Sequence, residues 1–290
     1  MAPQLHVSKR WRRVLLAVAT ATTAVALSGC SSSFTNQVKR IGMLPPASDR
    51  APYMEHLWQG AWIASGVVGV TVWGLMFFAA IKWRRRQGDP EIPRQTKYHL
   101  PLELLYTLIP ILIIGVLFFY TVRTQNHVLA KAKDPQHTIH VLGEKWSWSF
   151  SYLEKNNPQV GADVHTIGTL TDYPDLYLPL GQSVRFDITS ADVDHSFWIP
   201  DFYFKLDAIP GHPNSFDLTP DRLGTFDGKC AELCGTYHSM MLFTVHVVTP
   251  AQYYQHLQQL KSEGMTGDYT GPAMPQAIAS ESATQKEPGK

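Results

Sequence analysis

The sequence predicts an all-β domain, a sandwich or Greek-key barrel, preceded by a two-helix transmembrane hairpin. Three observations lead there. Two long apolar runs lie in the first half, short β-favouring runs separated by turn residues fill the second, and a basic N-terminus precedes an apolar leader. A chain of 290 residues leaves room for one mid-sized folded domain beside the membrane segments.

The leader comes first. Lys9, Arg10, Arg12 and Arg13 precede Val14 to Leu27, a run too short to span a bilayer comfortably. It ends in Leu27-Ser28-Gly29-Cys30, which resembles the lipobox of bacterial lipoproteins. That resemblance implies a signal over 1–29, cleaved before a lipid-modified Cys30, and an exported segment over 30–55. Losing the four basic residues of the leader takes the formal net charge from +1 to −3.

The membrane hairpin is expected within 56–124. Leu57 to Ile81 carries no charged side chain and has Trp58, Trp62 and Trp83 near its ends, where tryptophan favours the interface. Leu102 to Val122 carries one acid, Glu103, near its start. Between the runs lie Lys82, Arg84, Arg85, Arg86, Arg94 and Lys97, so the positive-inside rule puts this loop in the cytoplasm. Both ends of the mature chain then lie on the outer face of a bacterial plasma membrane, in agreement with an exported leader. An ionisable group at the depth of Glu103 either faces cytoplasmic water or belongs to a proton path.

The exported domain is expected over 125–262. Thr138 to Leu142, Trp146 to Tyr152, Asp175 to Leu178, Ser183 to Ile188 and Leu242 to Val248 favour extended chain. Pro174, Pro179 to Gln182 and Pro210 to Pro213 read as turns. Pro250 opens a helix over Ala251 to Lys261, and the polar stretch 263–290 reads as a disordered tail. From Gln125 onward there are 11 Lys+Arg against 19 Asp+Glu, a net of −8. Such a surface favours a cationic partner, and nucleic acid is not implied.

The chemistry lies in Cys230-Ala231-Glu232-Leu233-Cys234-Gly235-Thr236-Tyr237-His238-Ser239-Met240-Met241. In an oxidising compartment a close cysteine pair means a disulfide or a metal site. Soft sulfur with imidazole suits copper. One nearby histidine leaves such a site short of ligands, and His195, in Asp192-Val193-Asp194-His195-Ser196-Phe197-Trp198, is the natural second donor.

These motifs resemble cytochrome c oxidase subunit II, with its C-x-E-x-C-x-x-x-H-x-x-M loop and upstream D-V-x-H-S motif. The match extends to Lys205-Leu206-Asp207-Ala208-Ile209-Pro210-Gly211, to Gly143-Glu144-Lys145-Trp146-Ser147-Trp148, and to the hairpin around Glu103. The resemblance implies a cupredoxin-like fold and a binuclear copper centre, CuA. Cys230 and Cys234 would bridge both coppers, His195 and His238 would bind one each, and Met241 and the main-chain carbonyl of Glu232 would complete the set. It further implies a magnesium ion held by the Glu232 side chain at the boundary with subunit I. Electrons would arrive from cytochrome c, soluble or part of a cytochrome bc complex, through Trp146. Glu103 would stand at a proton-uptake path. Subunits I and III are the implied partners, with oxygen reduced to water and protons pumped in subunit I. Phe197, Trp198, Met240 and Leu242 are expected to form the apolar shell.

Glu144-Lys145 and His212-Pro213 depart from the family pattern at the docking surface and the subunit boundary. Two other classes fit these residues less well. A quinol oxidase subunit II shares the fold but lacks the copper ligands, and a copper chaperone of the thioredoxin kind requires helices alternating with strands.

Overall fold

Charge-free apolar stretches that must satisfy every backbone hydrogen bond internally become helices. The computed structural model describes residues 32–92 and 95–271, so the leader and Cys30 lie outside it. Residues up to Leu44 and those from Pro45 onward form separate units. In the first, α1 covers Ser32–Lys39. In the second, α2 covers Ala51–Lys82 and α3 covers Leu100–Val128, and each is long and apolar enough to cross a membrane. Both helices run past the apolar segments that predict them. At the start of α3, His99 Nδ1 accepts from the Leu102 N–H at 3.3 Å and Glu103 Oε1 accepts from the His99 N–H at 3.0 Å. Two orphan donors of the first turn are thereby satisfied.

The second half folds into two five-stranded sheets. The strands are β1 (His137–Glu144), β2 (Ser147–Tyr152), β3 (Val164–Ile167), β4 (Asp175–Pro179), β5 (Val184–Ser190), β6 (His195–Ile199), β7 (Phe204–Ala208), β8 (Asn214–Leu218), β9 (Gly224–Cys230) and β10 (Leu242–Val248). One sheet has the order β3-β2-β1-β5-β8 and the other β4-β10-β9-β6-β7. The β1–β5 and β4–β10 pairs are parallel and the rest antiparallel. The expected two-sheet domain behind two apolar helices is therefore the observed architecture.

Of the five strands that the sequence does not predict, β7, β8 and β9 carry the polar and glycine residues that depress strand propensity. Lys205 and Asp207 lie in β7, Asn214 and Asp217 in β8, and Gly224, Asp227 and Gly228 in β9. Pairing with buried neighbours overrides that local preference. The inner faces meet in an aromatic core. Phe197 and Phe243 stack with centroids 4.9 Å apart, and Trp148 meets them edge-on at 5.6 and 5.8 Å. Such pairs contribute about 0.5–1.5 kcal/mol beyond the area they bury.

A final helix, α4 (Pro250–Ser262), starts with a Thr249–Gln252 capping box and buries Tyr253, Leu257 and Leu260. The stretch that reads as a tail from 263 stays attached for several residues more. His165 N–H donates to Met265 O at 3.1 Å, Gly267 N–H to Asp163 O at 2.8 Å, and Tyr269 N–H to Ser151 Oγ at 2.9 Å.

The linkers between helices and sheets are also tied down. Before α2, the Ala47 N–H donates to Asp201 O at 3.0 Å and the Asp49 N–H to Thr219 O at 2.9 Å. After α3, the Ala132 N–H donates to Asp217, whose carboxylate is gripped by Arg185 through two contacts of 2.9 Å. Arg50 reaches from the start of α2 to His127 O and Ala130 O at the end of α3. These bonds hold the sandwich at a set position over the hairpin.

Candidate metal centre

Cys230 is the last residue of β9, Met241 directly precedes β10, and these neighbouring antiparallel strands are joined by the chain between them. A hydrogen bond of 3.0 Å from the Cys230 N–H to Met241 O closes the base of this loop. A short 3-10 turn, His238–Met240, folds the far side back. His195 opens β6, the other neighbour of β9, and the Ala231 N–H donates to Ser196 O at 2.9 Å. Two loops far apart in sequence thus meet at one end of the sandwich.

The sulfur atoms of Cys230 and Cys234 lie 3.9 Å apart, far beyond a disulfide bond of about 2.05 Å. Both thiols are free and buried. Donors gather around them. His195 Nδ1 lies 3.9 Å from the Cys230 sulfur and Glu232 O 3.2 Å from it, while His238 Nδ1 lies 3.5 Å and Met241 Sδ 3.8 Å from the Cys234 sulfur. His195, Cys230 and Cys234 alone place three ligand atoms within 4.8 Å of one another, enough to hold a metal ion. Two thiols, two imidazoles, a thioether and a carbonyl form a soft donor set that fits copper.

Electrostatics orders the thiols. Burial opposes ionisation of Cys230, but hydrogen bonds from His195 and from the loop backbone outweigh it and lower its pKa. Burial raises that of Cys234, and the neighbouring Cys230 raises it further. Cys230 therefore ionises first.

Asp192, which the sequence offers only as the first residue of the motif around His195, lies against the site. Its carboxylate accepts from the Lys145 N–H at 2.7 Å, the Val193 N–H at 2.7 Å and His195 Nε2 at 2.8 Å. Burial would raise its pKa, yet these donors lower it. With Nε2 held by Asp192, Nδ1 is the ring nitrogen of His195 that faces the thiols. The signal was its place three residues before His195, but only the turn brings the carboxylate under the ring.

The other candidates fall as follows. Trp146 is half-buried over the loop, and its Nε1–H donates to Cys234 O at 3.1 Å. Phe197 backs the site as expected and Trp148 joins it, its ring centroid 6.0 Å from that of His195. Met240, expected in the apolar shell, is exposed, because the 3-10 turn points it away from the core. Trp198 lies on the outer face of β6 under the Lys229 ammonium. The Glu232 side chain is exposed, and Glu103 lies on α3, away from the metal loop.

Fold and site together define a class: a chain with two membrane-length apolar helices and a β-sandwich that carries a soft-donor loop between two adjacent strands. Residues 137–248 match the family model described as cytochrome C oxidase subunit II, periplasmic domain. A probable cytochrome c oxidase subunit 2 of Streptomyces avermitilis is 43% identical over 288 residues, covering 88% of this chain and 89% of that protein. A cytochrome c oxidase subunit 2 of Mycobacterium tuberculosis is 38% identical, covering 86% and 82%. Among solved structures, the periplasmic domain of subunit II of the cytochrome oxidase of Bradyrhizobium japonicum is 26% identical, covering 46% of this chain and 99% of that one, with a TM-score of 0.40. The chain belongs to the cytochrome c oxidase subunit II family.

Proposed function

We propose that this chain is the electron-input subunit of a proton-pumping cytochrome c oxidase. It takes electrons from a c-type cytochrome at a binuclear copper centre and delivers them to the haem and copper centres of subunit I, where oxygen is reduced to water. The observation that carries this reading is the pair of buried, unbonded thiols faced by two imidazoles, a thioether and a carbonyl. Cys230 and Cys234 would hold both ions, His195 and His238 one each, and Met241 and Glu232 O would complete the set. Copper bound there supplies one-electron redox chemistry.

The protein's contribution is a site that moves little. The loop base is hydrogen-bonded, two of its anchors are strand termini, and Asp192 holds the His195 ring. Little rearrangement between redox states favours fast transfer. Trp146 offers a partly exposed π-surface bonded to the main chain of Cys234. Asp192→Asn keeps the volume but loses the carboxylate. It is expected to weaken copper affinity about 10- to 100-fold, measured by titration against a competing chelator, with folding unchanged. Native affinity would remove Asp192 from the site.

The reading as a whole is tested in the assembled oxidase. Trp146→Gln is expected to slow reduction by cytochrome c roughly tenfold or more, because the geometry of approach is lost, while copper content stays native. Wild-type rates would overturn the assignment of this face.

A further inference from the structure

We infer that Tyr237 is a second aromatic of the electron-input face, a positioning residue that braces the Trp146 indole and gives the docking cytochrome an apolar contact. The inference rests on the reading of Trp146 given above.

Three contacts fix the indole. Its N–H donates to Cys234 O at 3.1 Å. Its ring lies against Gly235, which has φ +119° and where an added Cβ would stand 3.2 Å from Trp146 Cζ2 and Nε1. The ring of Tyr237 meets it edge-on, with centroids 5.0 Å apart and planes at 85°. The first two contacts depend on backbone, and many residues at position 237 would leave them intact. The third is a side-chain choice. An edge-to-face pair holds a ring in place with the partial positive edge of one directed at the negative face of the other.

Tyr237 is also 42% exposed, and Leu233 of the same loop is 78% exposed. Apolar groups therefore stand in water over a buried centre, whereas most large side chains around that centre are covered. Tyrosine suits a surface that is wet when free and dry when docked, since its ring is apolar and its hydroxyl is not. The occupant that fits is a c-type cytochrome presenting the planar, apolar edge of its haem within a cationic rim. The rim would meet the net charge of −8 carried from Gln125 onward, and the haem edge would meet the aromatic pair. Charge would set the rate of encounter, and Tyr237 with Trp146 would set the register of the docked pair.

The test uses the intact oxidase assembled with Tyr237→Ala, Tyr237→Leu, Tyr237→Phe or Trp146→Gln chains. Copper content and the absorption of the centre serve as controls. For Tyr237→Ala we expect the Kd for oxidised cytochrome c and the steady-state KM to rise about three- to tenfold, with kcat changed far less. Tyr237→Phe, which keeps the ring, should restore most of the loss. If Tyr237→Ala disturbs copper loading, Tyr237→Leu, which keeps bulk without the aromatic edge, decides by the same measurements. Native Kd and KM in the decisive variant, alongside a slowed Trp146→Gln, would overturn the role of Tyr237 and leave the input face standing. Native behaviour in both the tyrosine and the tryptophan variants would overturn the input face itself.

Discussion

Replacing Cys234 with serine is expected to abolish the proposed binuclear copper centre and electron input from cytochrome c, while the sandwich still folds. Cys234 is the hub of the donor set, lying 3.9 Å from Cys230 Sγ, 3.5 Å from His238 Nδ1 and 3.8 Å from Met241 Sδ. A serine hydroxyl is a hard donor that stays protonated near neutral pH, so it offers neither the softness nor the charge of a thiolate shared by two ions. The loss should exceed the roughly 10- to 100-fold penalty that follows disturbance of an outer hydrogen-bond partner. The fold should survive, because a buried hydroxyl without a partner costs about 1–3 kcal/mol. The aromatic stack that holds the sheets together is made by the rings of Trp148, Phe197 and Phe243, which the substitution leaves in place. Copper analysis of the purified chain and cytochrome c oxidation by the assembled enzyme provide the measurement. Native copper content with native turnover would remove Cys234 from the centre.

The metal loop was legible in the sequence because four of its side-chain donors crowd into Cys230 to Met241, a stretch short enough for spacing alone to carry the argument. The cysteine pair alone left disulfide and metal site open, and His238, Met241 and the His195 motif favoured the metal. The geometry that keeps the sulfurs apart was not legible there. Their separation of 3.9 Å is set by the pairing of Cys230 N–H with Met241 O and by the turn that follows. His195 could be named as the second histidine, but the reason it reaches the site is topological. Strand β6 lies beside β9, with Phe197 opposite Cys230, and no local pattern predicts that neighbour. Strands such as β7 and β9 escaped notice for the same reason, since their charged and glycine residues are overruled by long-range pairing. Asp192 and Met240 show how a single turn decides a role. One carboxylate is swung under an imidazole, and one apolar side chain is swung into water. The membrane hairpin needed none of this, because length and apolar composition suffice in a medium that offers no competing hydrogen bonds.

Packing around β9 leads to the second large effect, from a substitution that adds one carbon. Gly228→Ala is expected to destabilise the sandwich by about 1–3 kcal/mol, the usual range for overpacking a well-filled core. Gly228 lies opposite Phe243 in the β9–β10 register, and a Cβ there would overlap the Cε2, Cζ and Cδ2 atoms of that ring. The ring has nowhere to go. It is 2% exposed, stacks on Phe197 with planes at 8°, and meets Phe150 and Trp148 edge-on at 5.4 and 5.8 Å. Replacing glycine in a strand would ordinarily gain roughly 0.5–1 kcal/mol from a less flexible unfolded chain, too little to offset the overlap. The strain should also reach the metal loop, since Phe197 faces Cys230 across the β6–β9 pair and Trp148 backs the His195 ring. Thermal unfolding of the full chain in detergent, with and without copper, should show a midpoint lowered by about 3 °C or more. Copper affinity should fall with it. An unchanged or raised midpoint would mean that the aromatic stack yields more readily than its contacts allow, and the close-packed account of this end of the sandwich would fail.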